Sequence, residues 1–217
     1  MSKTRWMILG LVLFFAPHPS PCDQANQHWR FWTAADGLDE MHIISINVEP
    51  SGNVWISQGR VEETCFLDGY AINSIPNPDP TGNHLTIRES RSGQIWSVTY
   101  TSRAATEYYL TGLQQYLREQ RRWITYEIDE IKSANPSIGD PFSFFPVAEN
   151  RAFFLLSDVL MEFDATAKKA RKIKGIDETN LERFNRMTRT RDGGLWIACE
   201  KGALRLDGQI DVLRSEE

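Results

Sequence analysis

The side chains that could carry chemistry in this chain are sparse and scattered. His18, His28, His42 and His84 are its four histidines among 217 residues. A histidine acting as a general base needs an orienting group and a proton donor within reach, and no spacing in the chain supplies such a set. Cys22, Cys65 and Cys199 form neither a C-x-x-C pair nor a Cys/His cluster, so a structural zinc site has no support. Cys65 and Cys199 fit either a disulfide or two small buried hydrophobes, and the second is the expectation. Glu62-Glu63 and Asp177-Glu178 read as turn residues and make a poor set of cation ligands. Gly193-Gly194 is too short to cradle a phosphate, and Asp192 reads as a residue capping its own turn. Tyr108 and Tyr109 could stack on a sugar ring, although paired aromatics at the start of a strand more often pack inward. The expectation is a chain with no catalytic residue, no metal and no cofactor, whose ligand-binding residues the sequence leaves unknown.

Composition narrows the class. Apolar residues make up 41% and charged residues 24%, the balance of a folded globular protein. A net charge of −5 gives no reason to expect nucleic acid, which asks for a clustered basic excess. The one basic run, Lys168–Lys174, reads as a solvated turn and edge strand, where lysines discourage pairing with a second chain. Residues 1–22 differ: Lys3 and Arg5 precede the apolar run Met7–Ala16, and PHPSPC follows. This is the pattern of a secretory signal peptide, and the run falls short of the roughly 20 residues that cross a bilayer. Ser20 and Cys22 are suited to a cut before Asp23, while Pro21 fits a lipid-attachment site at Cys22 poorly. The expected location is periplasmic or extracellular.

The remaining sequence repeats itself. SGNVWIS at 51–57, SGQIWSV at 92–98 and DGGLWIA at 192–198 each place a turn before an aliphatic residue and tryptophan. Trp55 and Trp96 lie 41 positions apart, Phe153 takes the tryptophan place in ENRAFFLL, and Trp196 follows it by 43. The longer gap before Phe153 requires an insertion, which TSRAATEYYLTG (101–112) supplies. A period near forty residues signals propellers or solenoids. Each unit reads as four short strands joined by turns, starting with IISINV, HLTIRE, FSFFPV and RMTRTR, so the expected fold is an all-β propeller of four four-stranded blades. The blades fall at about 41–76, 83–130, 141–176 and 185–215 within 29–217, with a leading strand at 29–33. Leu110, Leu113 and Leu117 would also suit a helix face, but the repeat makes 113–118 a strand. The repeated tryptophan is then expected to pack between adjacent blades, with no role in touching substrate.

Trp29–Gly59 and Met187–Gly208 resemble the two-component regulator propeller repeat, in the Gly37-Leu38 start, the aliphatic strand, the small residue before Gly, and the aliphatic-Trp-Ile run. The resemblance covers about 29–208, strongly in the first and fourth units and weakly in the third. It implies seven-bladed propellers in the extracytoplasmic sensor region of hybrid histidine kinases, frequently reading saccharide fragments. Against that plan the chain shows four repeats, no kinase motif and no stop-transfer helix after residue 30. The fourth unit also has its own outer strand at Gln209–Arg214, which leaves the strand expected at 29–33 unpaired in a four-bladed ring. The four units are therefore expected to be an incomplete part of a seven-bladed ring with open flanks, a closed four-bladed ring being the alternative.

Three functional readings result. The first is a non-catalytic exported sensor or recognition propeller that binds an oligosaccharide or another small ligand. The second is a lyase- or hydrolase-like propeller, since lyases acting on cyclic antibiotics resemble these repeats and use histidine with acidic partners. The third is a structural module that self-associates, or meets missing blades, through open blade faces.

Overall fold

A computed structural model describes residues 30–38, 42–58, 62–79, 86–104, 107–137, 142–148, 150–190 and 194–206. The chain divides at Trp32 into a short N-terminal unit and a unit holding every strand among the described residues. In the first, Arg30 lies over the Trp32 ring at 3.8 Å, and Arg30–Trp32 form no strand. In the second, Thr33 begins a 3-10 turn over Ala34–Asp36, accepting from the Ala35 N–H while Asp36 accepts from the Thr33 N–H. This reciprocal cap follows from a threonine three residues ahead of an acid. Trp29 and the strand expected at Gln209–Arg214 lie outside the described residues.

Tight turns convert the repeated Gly positions into hairpins. Gly52 and Gly93 sit at φ of 92° and 83°, a conformation other residues seldom adopt. Each closes its turn by donating back, to the Glu49 and Ser90 carbonyls, both at 2.9 Å. Asn150, at φ 58°, turns the corresponding corner of the third unit, as asparagine tolerates better than most.

The strands form four antiparallel sheets, each a blade in sequence order. Blade 1 comprises β1 (Ile43–Val48), β2 (Val54–Gln58), β3 (Glu63–Leu67) and β4 (Ile72–Pro76). Blade 2 comprises β5 (Arg88–Glu89), β6 (Ile95–Ala104), β7 (Glu107–Leu117) and β8 (Arg122–Glu127). Helix α1 (Asp129–Ala134) then leads to blade 3: β9 (Ser143–Ala148), β10 (Arg151–Leu155), β11 (Val159–Asp164) and β12 (Lys169–Gly175). Blade 4 has three strands among the described residues: β13 (Phe184–Arg189), β14 (Leu195–Cys199) and β15 (Gly202–Leu206). The meander of neighbouring strands, repeated four times, is that of a β-propeller. The segment around Leu113 is strand, and the expected insertion is an extension of β6 and β7 into one long hairpin. Helix α1 was not anticipated. Ile131 points it into the core, and Asn135 ends it in a left-handed turn that donates to the Ile131 carbonyl. The basic run forms β12, at the edge of its sheet as expected.

Apolar residues on successive blades meet in three clusters. Trp55, Phe66 and Ile75 of blade 1 pack with Ile87, Ile95 and Tyr116 of blade 2. Trp96, Val98 and Leu113 of blade 2 pack with Phe144, Phe154 and Phe163 of blade 3. Phe153, Leu155 and Leu160 of blade 3 pack with Phe184, Leu195 and Ile197 of blade 4. Thus Trp55, Trp96 and Phe153, exposed by 2%, 0% and 3%, each face the following blade. Trp196 departs from the expectation that every copy is buried, for it is 39% exposed. Among the described residues no cluster joins blade 4 to blade 1, and none of them covers Trp196 as a following blade covers Trp55 and Trp96. The opposite flank is open as well, with Ile44, Ile46 and Val48 exposed on β1. Cys65 and Cys199 are buried free thiols.

A second 3-10 turn, Ile176–Glu178, follows β12 and concentrates charge. The Gly175 N–H donates to Glu178 at 3.0 Å, and Lys174 and Lys172 both pair with the same carboxylate. These contacts lower its pKa from 4.5 to about 2, the backbone donor contributing most. A depressed carboxylate contributes stability that is present above its ordinary pKa and lost as pH falls through the folded value. Unfolding of wild-type protein followed from pH 4.5 to about 2 should therefore show a steeper acid loss than that of Glu178→Gln. Equal slopes would show that the carboxylate gains nothing on folding.

Candidate functional site

The long β6–β7 hairpin does more than lengthen a blade. Register pairs Tyr100 with Leu110 and Ser102 with Tyr108, so Tyr100, Ser102 and Tyr108 share one face. The Tyr100 and Tyr108 rings meet edge to face, with centroids 5.4 Å apart and planes at 84°. The Tyr100 hydroxyl donates to Asp79, a buried carboxylate in the loop that leads into blade 2. Around these groups lies a cavity of about 450 Å³, completed by Pro78, Thr99, Gln114 and Thr125. Gln114 is buried and donates to the Val98 carbonyl at 2.7 Å, which fixes its amide beside the cavity. Aromatic edges, an anchored carboxylate and hydroxyls around one hollow suit a small polyhydroxylated molecule: ring faces take its C–H surface and the oxygens take its hydroxyls.

A larger hollow, about 580 Å³, lies at the other end of β6, lined by Ser92, Gln94, Gln115, Arg118 and Asn150 among others. Its polar groups are already engaged, two of them across the seam of blades 2 and 3 and one within blade 2. Gln94 accepts from the Asn150 N–H at 3.1 Å, Gln115 donates to the Asn150 side chain at 3.2 Å, and Arg118 pairs with Glu89 at 2.9 Å. The smaller cavity is therefore the better candidate despite its size.

The residues singled out by type fall as follows. Tyr108 lines the candidate cavity, whereas Tyr109 pairs its backbone with Ser137 and is half-buried elsewhere on the hairpin. His42 is exposed, and His28, His84 and Asp192 lie outside the described residues. Glu63 bonds to Ser74, and Asp177 and Glu178 pair with lysines. Among the described residues no three His, Cys, Asp or Glu side chains gather as metal ligands would. Asp79 and Tyr100 were missed from sequence, because PNPDP reads only as a turn and Tyr100 only as the end of a strand.

Two neighbouring buried carboxylates, Glu49 and Glu89, invite comparison with a general acid–base pair. Burial is the leading cause of the raised pKa of Glu49, opposed by Arg88. Their contacts, however, bind blade to blade. Arg88 pairs with Glu49 at 3.0 Å, while Glu89 accepts from the Trp55 indole at 2.9 Å and the Asn53 amide at 2.8 Å. The residues lining the two hollows include neither carboxylate.

Fold and cavity together define an open run of β-propeller blades carrying an aromatic–carboxylate hollow on its second blade. No family model and no curated protein matches the chain. Among solved structures, it is similar to the extracellular domain of the hybrid two-component system BT4673 from B. thetaiotaomicron, at TM-score 0.49 and 14% identity over 82% of this chain. It spans 22% of the length of that chain. The extracellular domain of BT3049 from the same organism matches at TM-score 0.29 and 14% identity, over 83% of this chain and 35% of that one. A virginiamycin B lyase from Staphylococcus aureus matches at TM-score 0.39 and 11% identity, over 80% of this chain and 72% of that one. The blade assignment rests on strand pairing and on none of these likenesses.

Proposed function

We propose that this chain is an exported, non-catalytic recognition propeller, related to the input domains of two-component sensors, and that it binds a saccharide-like ligand in the Tyr100–Tyr108–Asp79 cavity. The repeat pattern carries the sensor reading, and the N-terminal basic–apolar–polar order carries the export. The observation that carries the ligand class is the convergence of two tyrosine rings and a buried carboxylate in one hollow. The hollow's volume is that of a small-molecule site, about 300–1,000 Å³. Tyr108 supplies a stacking surface, and the Asp79 carboxylate, tied to the Tyr100 hydroxyl, sets a negative charge beside it.

Binding to an oligosaccharide array, followed by calorimetry on any positive, tests this. Tyr108→Ala should weaken binding about tenfold or more, the loss expected for about 1.4 kcal/mol of stacking, with unfolding nearly unchanged. Asp79→Asn should weaken it further. A saccharide held equally well by Tyr108→Ala, or an array with no binder, would sink the proposal.

A further inference from the structure

The three interfaces between blades repeat one arrangement, and the open flanks of the chain expose its two halves. On the forward side, the tryptophan place of each blade meets the first strand of the next. In the first interface Trp55 donates to Glu89 and clusters with Ile87, both on the rear face of blade 2. Register pairs Glu89 with Ile95 and Val48 with Val54, so Val48 holds in blade 1 the place of Glu89, and Ile46 that of Ile87. Ile46 and Val48 are 59% and 73% exposed. Ile56 and Cys65 on the same rear face are buried, which confines the open apolar surface to β1, the strand a preceding tryptophan would reach.

We propose that a second copy of this chain docks head to tail, the forward face of blade 4 against the rear face of blade 1, and that the same contact made twice closes a ring of eight blades. Trp196 of one copy then covers Ile46 and Val48 of the other, as Trp55 covers Ile87 within the chain. The charged rim matches too. Arg205 pairs across the ladder with Trp196 and lies 5.7 Å from its ring, at the place Phe66 holds opposite Trp55. Phe66 is approached at 6.0 Å by Arg118, on the hairpin after β7. The hairpin after β3 carries Asp68 and Tyr70 instead, both exposed, so Arg205 meets a carboxylate and an aromatic ring there. Propellers close with roughly 4–8 blades, and two four-bladed halves reach the upper limit. A head-to-tail contact forms a closed assembly only when its rotation returns to the start, and two copies satisfy this with a twofold axis.

Sedimentation of the full chain at micromolar concentration tests the stoichiometry. The expected result is a particle of twice the chain mass, converted to monomer by Val48→Lys or by Trp196→Lys, each with an unchanged circular-dichroism spectrum. Mixing Val48→Cys with Trp196→Cys under mild oxidation tests the geometry and should give a mixed disulfide that neither variant forms alone. A monomeric wild-type chain, an open-ended polymer, or a Trp196→Cys chain that links readily to itself would each overturn the proposal. Addition of a separate propeller fragment that displaces the second copy and takes the Trp196 face would overturn it as well.

Discussion

Trp96→Ala should cost the fold about 3–5 kcal/mol, the range for truncating a large aromatic residue in a packed core. Trp96 is fully buried, stacks on Tyr126 at 6.0 Å and belongs to the cluster shared by blades 2 and 3. Against a domain stability of about 5–15 kcal/mol, such a loss leaves a protein barely folded at room temperature. Trp196→Ala, with the same chemical deletion in the same sequence phrase, should change the unfolding free energy by no more than about 0.5 kcal/mol. Both are best compared in the Val48→Lys background by denaturant unfolding, so that association makes no contribution. The contrast follows from position alone, since only Trp96 has a blade in front of it. Equal costs would show that the tryptophan stabilises each blade from within.

Glu89→Ala is the second large effect. The carboxylate is 1% exposed and accepts hydrogen bonds from the Trp55 indole, the Asn53 amide and Arg118. Deleting it leaves the buried Trp55 indole and the half-buried Asn53 amide without this acceptor at the seam of blades 1 and 2, and a loss of about 3–5 kcal/mol is expected. Arg118 is half exposed and regains water, so the larger share comes from the indole and the amide. Glu89→Gln keeps the shape and one acceptor oxygen but turns an N–H toward an N–H, and should cost about 1–3 kcal/mol. Thermal unfolding should rank wild type above glutamine above alanine. A glutamine variant as stable as wild type would show that the negative charge matters little there.

Much of this architecture was legible because one pattern recurs. The Gly-aliphatic-Trp phrase marks the turn and second strand of blades 1 and 2 and the second strand of blade 4, and Phe153 marks blade 3 although it lacks the tryptophan. Both signals are local: a glycine or asparagine at positive φ sets the turn, and a large ring follows at fixed distance. The strand around Leu113 also followed from the repeat, against its helix-like leucine spacing. Helix α1 was illegible because only Ile131 faces inward along its six residues, too short a stretch for an amphipathic period. The exposure of Trp196 depends on what stands in front of it, and no local phrase encodes a neighbour. The cavity was half legible. Tyr108 drew notice as one of two adjacent rings, while Asp79 and Tyr100 meet only through the folded loop, 21 positions apart.

Exchange of the tryptophan indole protons, resolved by NMR in the Val48→Lys monomer, tests most directly whether the repeated ring is packing between successive blades. The Trp55 and Trp96 indole N–H groups should exchange only through unfolding of the sheets around them, and the Trp196 indole at close to the rate of free tryptophan. Rapid exchange at Trp55 or Trp96, or protection at Trp196 matching theirs, would contradict the account.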